Sequence, residues 1–191
     1  MAALADRVAL AAPGYPCYRH ILNVLGVSPV SLEAGPAERY QPTPELLRAA
    51  THHLDAKKKI DDRLAPSRAA KTGEERLDAF VMAWAGYIPE IYGMAKALMA
   101  MADTDEAAAE TWNTRMQDMR EGCLAAVQAL DREGQLHPGL APDAATDLLW
   151  TLLSVRNWEQ LTQSCGWSQA DYLQGMRSLT RRLLTAPRSE I

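Results

Sequence analysis

Phenylalanine is almost missing from this chain, with Phe80 alone among 191 residues, and β-branched residues are thinly spread. That poverty argues against a sheet-built core, since strands draw on aromatic and β-branched side chains, whereas the abundant alanine and leucine cost little in a helix. The expected class is all-α. No run of about 18 uncharged apolar residues occurs, so no membrane-spanning helix is expected. Asp6 and Arg7 interrupt the apolar stretch Met1 to Ala12 before Pro13-Gly14 ends it, which does not fit a secretory leader and favours a cytoplasmic protein. The three cysteines, Cys17, Cys123 and Cys165, are odd in number and lack paired metal spacing, so they are expected as buried thiols in a reducing compartment. Positive charge is short too: the formal net charge is −4, and nucleic acid could be held only by a local basic patch. Gly-rich phosphate loops, Gly-x-Ser-x-Gly, Cys-x-x-Cys and His-Glu-x-x-His are all lacking, and the neighbours His52 and His53 cannot share a helix face. No metal, cofactor or catalytic residue is therefore expected.

What is present is helical periodicity. Leu4, Val8 and Ala11 suit a short first helix and His20 to Leu25 another, while four prolines between Pro29 and Pro44 mark loop or short turns. Glu45 to Leu64 reads as one long helix, with Lys57, Lys58 and Lys59 on its outer face. A polar connector over Pro66 to Glu75 leads to helices over Arg76 to Ile88 and Glu90 to Ala102, which Pro89 should kink or split. Asp103-Thr104-Asp105 caps a helix that runs to Arg132 or Glu133, where Gly134 stops it. Pro142-Asp143 opens a helix to Leu161, and Ser168 caps a last one to Leu184.

The punctuation in the second half is distinctive: Arg132-Glu133-Gly134-Gln135-Leu136-His137-Pro138-Gly139-Leu140, then Asp147-Leu148-Leu149-Trp150, then Gly166-Trp167-Ser168 and Tyr172. In order and spacing these residues resemble the ligand-binding and dimerisation region of TetR-family transcriptional regulators. The resemblance implies a TetR-like bundle, with residues 1–50 as a small helix-turn-helix head and residues 51–191 as the body. It implies a homodimer through Asp143 to Leu161 and Ser168 to Leu184, for which Leu149, Trp150, Leu153, Trp158, Leu179 and Leu183 offer the apolar surface. Ala5 to Tyr15, Gly26-Val27-Ser28 and Glu45 to Ala49 match landmarks of the head, so Ser28, Ser31, Leu32 and Arg39 are the candidate DNA contacts. Departures occur there: Glu33 stands where the family has a phosphate-contacting Tyr, and Pro36 where a Phe locks the recognition helix. The first fifty residues also balance four basic groups against four acidic ones, leaving little to release phosphate counterions.

Between Arg76 and Met119, bulky side chains exceed what one apolar stripe needs. Phe80, Trp84, Tyr87, Tyr92 and Met94, facing Trp112 and Met116, would line a pocket for an apolar small molecule, with Asn113 and Gln117 as polar contacts. Two functional readings follow. One is a homodimeric TetR-like regulator whose hold on DNA answers to an apolar effector. The other is the same body without DNA binding, serving as a small-molecule binding protein or as an enzyme on an apolar natural product.

Overall fold

Helices carry the chain from Pro44 onward: α1 (Pro44–Lys58), α2 (Ile60–Ala69), α3 (Gly73–Met101), α4 (Glu106–Arg132), α5 (Pro142–Leu152), α6 (Val155–Glu159, prolonged by a π turn over Gln160–Ser164) and α7 (Gln169–Leu184). The class is all-α, as the composition leads one to expect. The computed structural model describes Arg7–Ala12, Ser28–Glu33 and residues 44–187, with side chains from Thr51 onward. Two compact units divide the chain, Met1–Ala50 and Thr51–Ile191.

The first unit corrects the expected helical head. Arg7–Ala12 (β1) and Ser28–Glu33 (β2) are strands, paired in parallel from Arg7 opposite Ser28 to Ala12 opposite Glu33. The first helix over Leu4 to Ala12 is therefore not formed across Arg7–Ala12, and no recognition helix begins at Ser28. The local sequence explains this, because Val8 and Leu10, and again Val30 and Leu32, recur every second residue, a strand period. Pro29 is tolerated because both strands of a two-stranded sheet are edges. Parallel strands need a connection of about a dozen residues or more, and residues 13–27 are long enough. Ser28, Ser31 and Leu32 thus stand on a strand; Arg39 and the helix expected over His20 to Leu25 lie outside the described residues.

In the second unit, Lys59 adopts a left-handed conformation (φ 53°) and divides the expected single helix Glu45 to Leu64 into α1 and α2. Arg63 Nε donates to the Lys58 carbonyl at 3.0 Å, occupying a carbonyl that the break leaves without a helical partner. α2 also takes in Pro66, expected in the connector.

α3 is the central helix and packs against α2, α4, α6 and α7. Of the kink or split expected at Pro89, the split does not occur: α3 is one helix through the proline. A proline withholds the N–H that would bond the carbonyl four residues back, here Ala85. That carbonyl is taken instead by Gln169 Nε2 at 3.0 Å, while Gln169 Oε1 accepts from Trp158 Nε1 at 2.8 Å. A side chain from α7 thus repairs the ladder of α3.

α4 starts and stops where its sequence says. Asp105 accepts from the Ala108 N–H at 3.0 Å, and Gly134 takes φ +66° just beyond the end. The helix expected to run from Pro142 to Leu161 breaks at Leu153, where side chains take its carbonyls: Asn157 Nδ2 donates to Leu152 O at 2.7 Å and Trp84 Nε1, from α3, to Leu153 O at 3.1 Å. Ser154 then caps α6 by accepting from the Asn157 N–H. Ser168 and Asp171 form a capping box on α7, whose Tyr172, Met176, Thr180 and Leu184 form its buried stripe.

Candidate functional site

Three helices of the second unit converge on one small cavity. α3 contributes Trp84, Ile91, Met94, Ala95 and Leu98; α4 contributes Trp112, Arg115 and Met116; α1 contributes Thr51, Leu54 and Asp55; Val155 closes the end. Helical spacing explains the alignment, since Ile91, Met94, Ala95 and Leu98 recur at three and four residues, as do Trp112, Arg115 and Met116. The cavity is about 30 Å³, room for a water or two, whereas sites for drug-sized ligands run to roughly 300 Å³ or more. Trp112, Met116 and Val155 also line a larger, open groove of about 310 Å³ shared with Asn113, Trp150, Thr151, Ser154 and Arg156. The same three side chains therefore separate an outer groove from the inner cavity.

Charge enters the cavity through one ion pair. Arg115 grips Asp55 with both guanidinium nitrogens, Nη2 to Oδ1 at 2.7 Å and Nη1 to Oδ2. Both side chains are largely covered, Asp55 at 13% exposure and Arg115 at 20%. The wholly buried Tyr87 donates its hydroxyl to Asp55 Oδ1 at 2.5 Å. Burial, and then the hydrogen bond and charge of Asp55, push the Tyr87 phenol above its ordinary pKa, so it stays a neutral donor. Arg63 lies over the Tyr87 ring, 5.7 Å from its centroid, and donates to Glu90 at 2.6 Å; Lys58 adds a second cation to Glu90 at 3.3 Å.

The expected ligand residues do not all meet at one place. Trp84, Met94, Trp112 and Met116 line the inner cavity, and Asn113 lines the outer groove. Tyr87 is held on Asp55, and Tyr92 is drawn the other way, donating to Glu159 and accepting from Lys96 Nζ at 3.0 Å. Phe80 is core, its ring pressed so close to Gly122 that a Cβ there would lie 2.7 Å from it. Gln117 is exposed and bonds its helical neighbour Glu121, as an i, i+4 polar pair does. Glu90, on α3, is occupied by Arg63 and Lys58.

Asp55 and Arg115, the charged groups of the cavity, were not foreseen. Their signal lay in helix register: Asp55 follows the buried Thr51 by four, and Arg115 stands four from both Thr111 and Met119, which are buried. A charged residue on a buried stripe implies a partner.

The expected dimer residues also divide. Leu149, Leu153 and Trp158 are buried within the single chain, because α5 packs on α4 and α7 and α6 packs on the central α3; they are core and not an open face. Trp150 and Leu183 are half-buried and Leu179 is exposed. Cys123 is buried as expected, but Cys165 is exposed beside the turn at Gly166, and Cys17 lies outside the described residues. Among the described residues no cluster of three or more His, Cys, Asp or Glu could hold a metal, and no helix is long and apolar enough to cross a membrane.

No known family model and no solved structure matches the chain. A stretch of 42 residues, 22% of this chain, is 57% identical to the valine–pyruvate aminotransferase of Mycobacterium tuberculosis. The match spans 11% of that protein's length.

Proposed function

We propose that this chain is a TetR-like small-molecule binding protein that works as a homodimer, without a helix-turn-helix over Ser28–Glu33. The observation that carries the reading is the cavity between α1, α3 and α4, walled by Trp84, Met94, Trp112 and Met116 and sharing the side chains of Trp112, Met116 and Val155 with an outer groove. An apolar wall with a few convergent polar groups is what orients a small molecule inside a helical bundle. The order of motifs from Arg132 to Tyr172 supports the TetR-like body. Exposed apolar groups on α5, on α7 and in the turn before α7, Leu148, Leu179 and Trp167, support association of two copies. The aminotransferase match spans too little of that enzyme to bring its activity here.

Trp84 and Trp112 stand in the cavity wall, so occupancy should change intrinsic fluorescence. The test titrates the purified chain with a panel of apolar alcohols, acids and aromatic compounds, reading fluorescence together with the melting temperature. Saturable binding that a bulky substitution at Ala95 abolishes is expected, and a panel that leaves both readings flat would refute the binding function. A mobility shift at low salt with the chain's own upstream DNA should show no retardation. Retardation that an effector reverses would restore the DNA-binding regulator in its place.

A further inference from the structure

We propose that the cavity is an anion site occupied by the protein's own carboxylate, and that its ligands are apolar carboxylic acids that displace Asp55 from Arg115. This inference rests on the small-molecule reading above and names the ligand class for that site.

Arg115 is a forked cation in a wall that is apolar apart from Thr51 and Asp55, and a planar carboxylate is the group that matches two parallel N–H donors. Asp55 supplies that group from another helix. A charged pair in an apolar cavity contributes little to stability compared with well-packed hydrophobic residues, so its presence fits binding better than folding. The remaining walls, Trp84, Ile91, Met94 and Leu98, would take the hydrocarbon of an acid whose head lies on Arg115.

The volumes say how exchange must proceed. A cavity of about 30 Å³ cannot hold such a molecule while Asp55 is seated, so the arriving acid has to replace Asp55 and part the walls. The outer groove of about 310 Å³ gives the hydrocarbon a way in past Trp112, Met116 and Val155. Trp150 lines this groove, and its buried indole N–H has no acceptor within the described chain. Replacement of Asp55 removes the contacts by which Tyr87 and Arg115 tie α1 to α3 and α4, leaving the Lys58–Glu90 pair between α1 and α3.

The test compares decanoate with decanol, equal in chain length and differing in the carboxylate, on the full chain and on D55N and D55N/R115M, each checked for unchanged helicity by circular dichroism. Decanoate should bind the native chain at least tenfold more tightly than decanol. D55N should tighten decanoate about tenfold more while leaving decanol unchanged, because the internal competitor is gone. D55N/R115M should bind the two probes alike. If native chain and D55N bind both probes equally, the carboxylate inference is overturned while the apolar pocket stands. If neither probe binds any of the three proteins, the pocket and the inference fall together.

Discussion

Arg115 is a side chain whose removal alone should be strongly felt. Arg115→Met strands the Asp55 carboxylate, mostly covered and held otherwise by the Tyr87 hydroxyl, and breaking such a pair costs about 3 kcal/mol. The double variant D55N/R115M leaves no unpaired charge and should recover most of that loss, so urea midpoints of the two single variants and the double form a cycle with strong coupling. Additive losses would show that the pair is not energetically joined. The buried cysteine gives a second prediction. Burial pushes the Cys123 thiol up to about 12, so almost none of the reactive thiolate exists at neutral pH, whereas Cys165 is exposed. Iodoacetamide on the native protein should therefore modify the Cys165 peptide in minutes and the Cys123 peptide only in denaturant. At this scale the sequence pointed to four of the cavity's apolar side chains, Trp84, Met94, Trp112 and Met116, and passed over its charged part. Periodicity weighs apolar residues, and a paired Arg and Asp separated by sixty positions leave no local trace.

Helix ends in the second half were legible because caps are local chemistry: Asp105, Gly134 and Ser168 act within a turn of themselves. Helix interruptions were not, since Pro89 is accommodated by Gln169 from α7 and the break at Leu153 is fixed by Trp84 from α3. The first of these makes a prediction. Gln169→Ala leaves the Ala85 carbonyl and the Trp158 indole N–H without their partner, which should cost about 2 kcal/mol in urea denaturation. Adding Pro89→Ala restores an N–H for Ala85 and should return part of the loss; no recovery would mean that the Gln169 contact does not compensate the proline. The capping box of α7 gives a pH signature. Hydrogen bonds from the Ser168 hydroxyl and N–H hold the Asp171 carboxyl below its ordinary value of 3.8. A lowered carboxylate stabilises the fold above its unfolded pKa and loses that contribution as pH falls through the folded one. Ser168→Ala should cost about 1 kcal/mol at neutral pH, and the gap to the native chain should narrow as pH drops below 3.8.

At the scale of the whole molecule, the all-α class was legible because composition integrates over the entire chain, but the first unit escaped it. Six-residue strands such as Arg7–Ala12 and Ser28–Glu33 are too short to alter an average, and in Arg7–Ala12 the alternation is weakened by its alanines. The expected association face was blurred for a related reason: a stripe of leucines does not say which members a chain keeps for itself. The structure sorts them. Leu149, Leu153 and Trp158 are core, while Leu179 is exposed at 39%, as is Trp167, whose ring lies close over Gly175, one helical turn before Leu179. Gly175, Leu179 and Leu183 share a line along α7, beside the buried Tyr172, Met176, Thr180 and Leu184. Trp167 therefore extends an apolar strip along the outside of that helix. If this strip joins two copies, sedimentation at micromolar concentration should give a dimer. Leu179→Glu, which places a charge on the strip without touching the core, should then give a well-folded monomer with unchanged helicity. Leu149→Ala should do the reverse, costing about 2–5 kcal/mol of stability through the cavity it leaves while the protein stays dimeric. A Leu179→Glu protein that still sediments as a dimer would move the interface off α7, and with it the part of the TetR-like reading that depends on that helix.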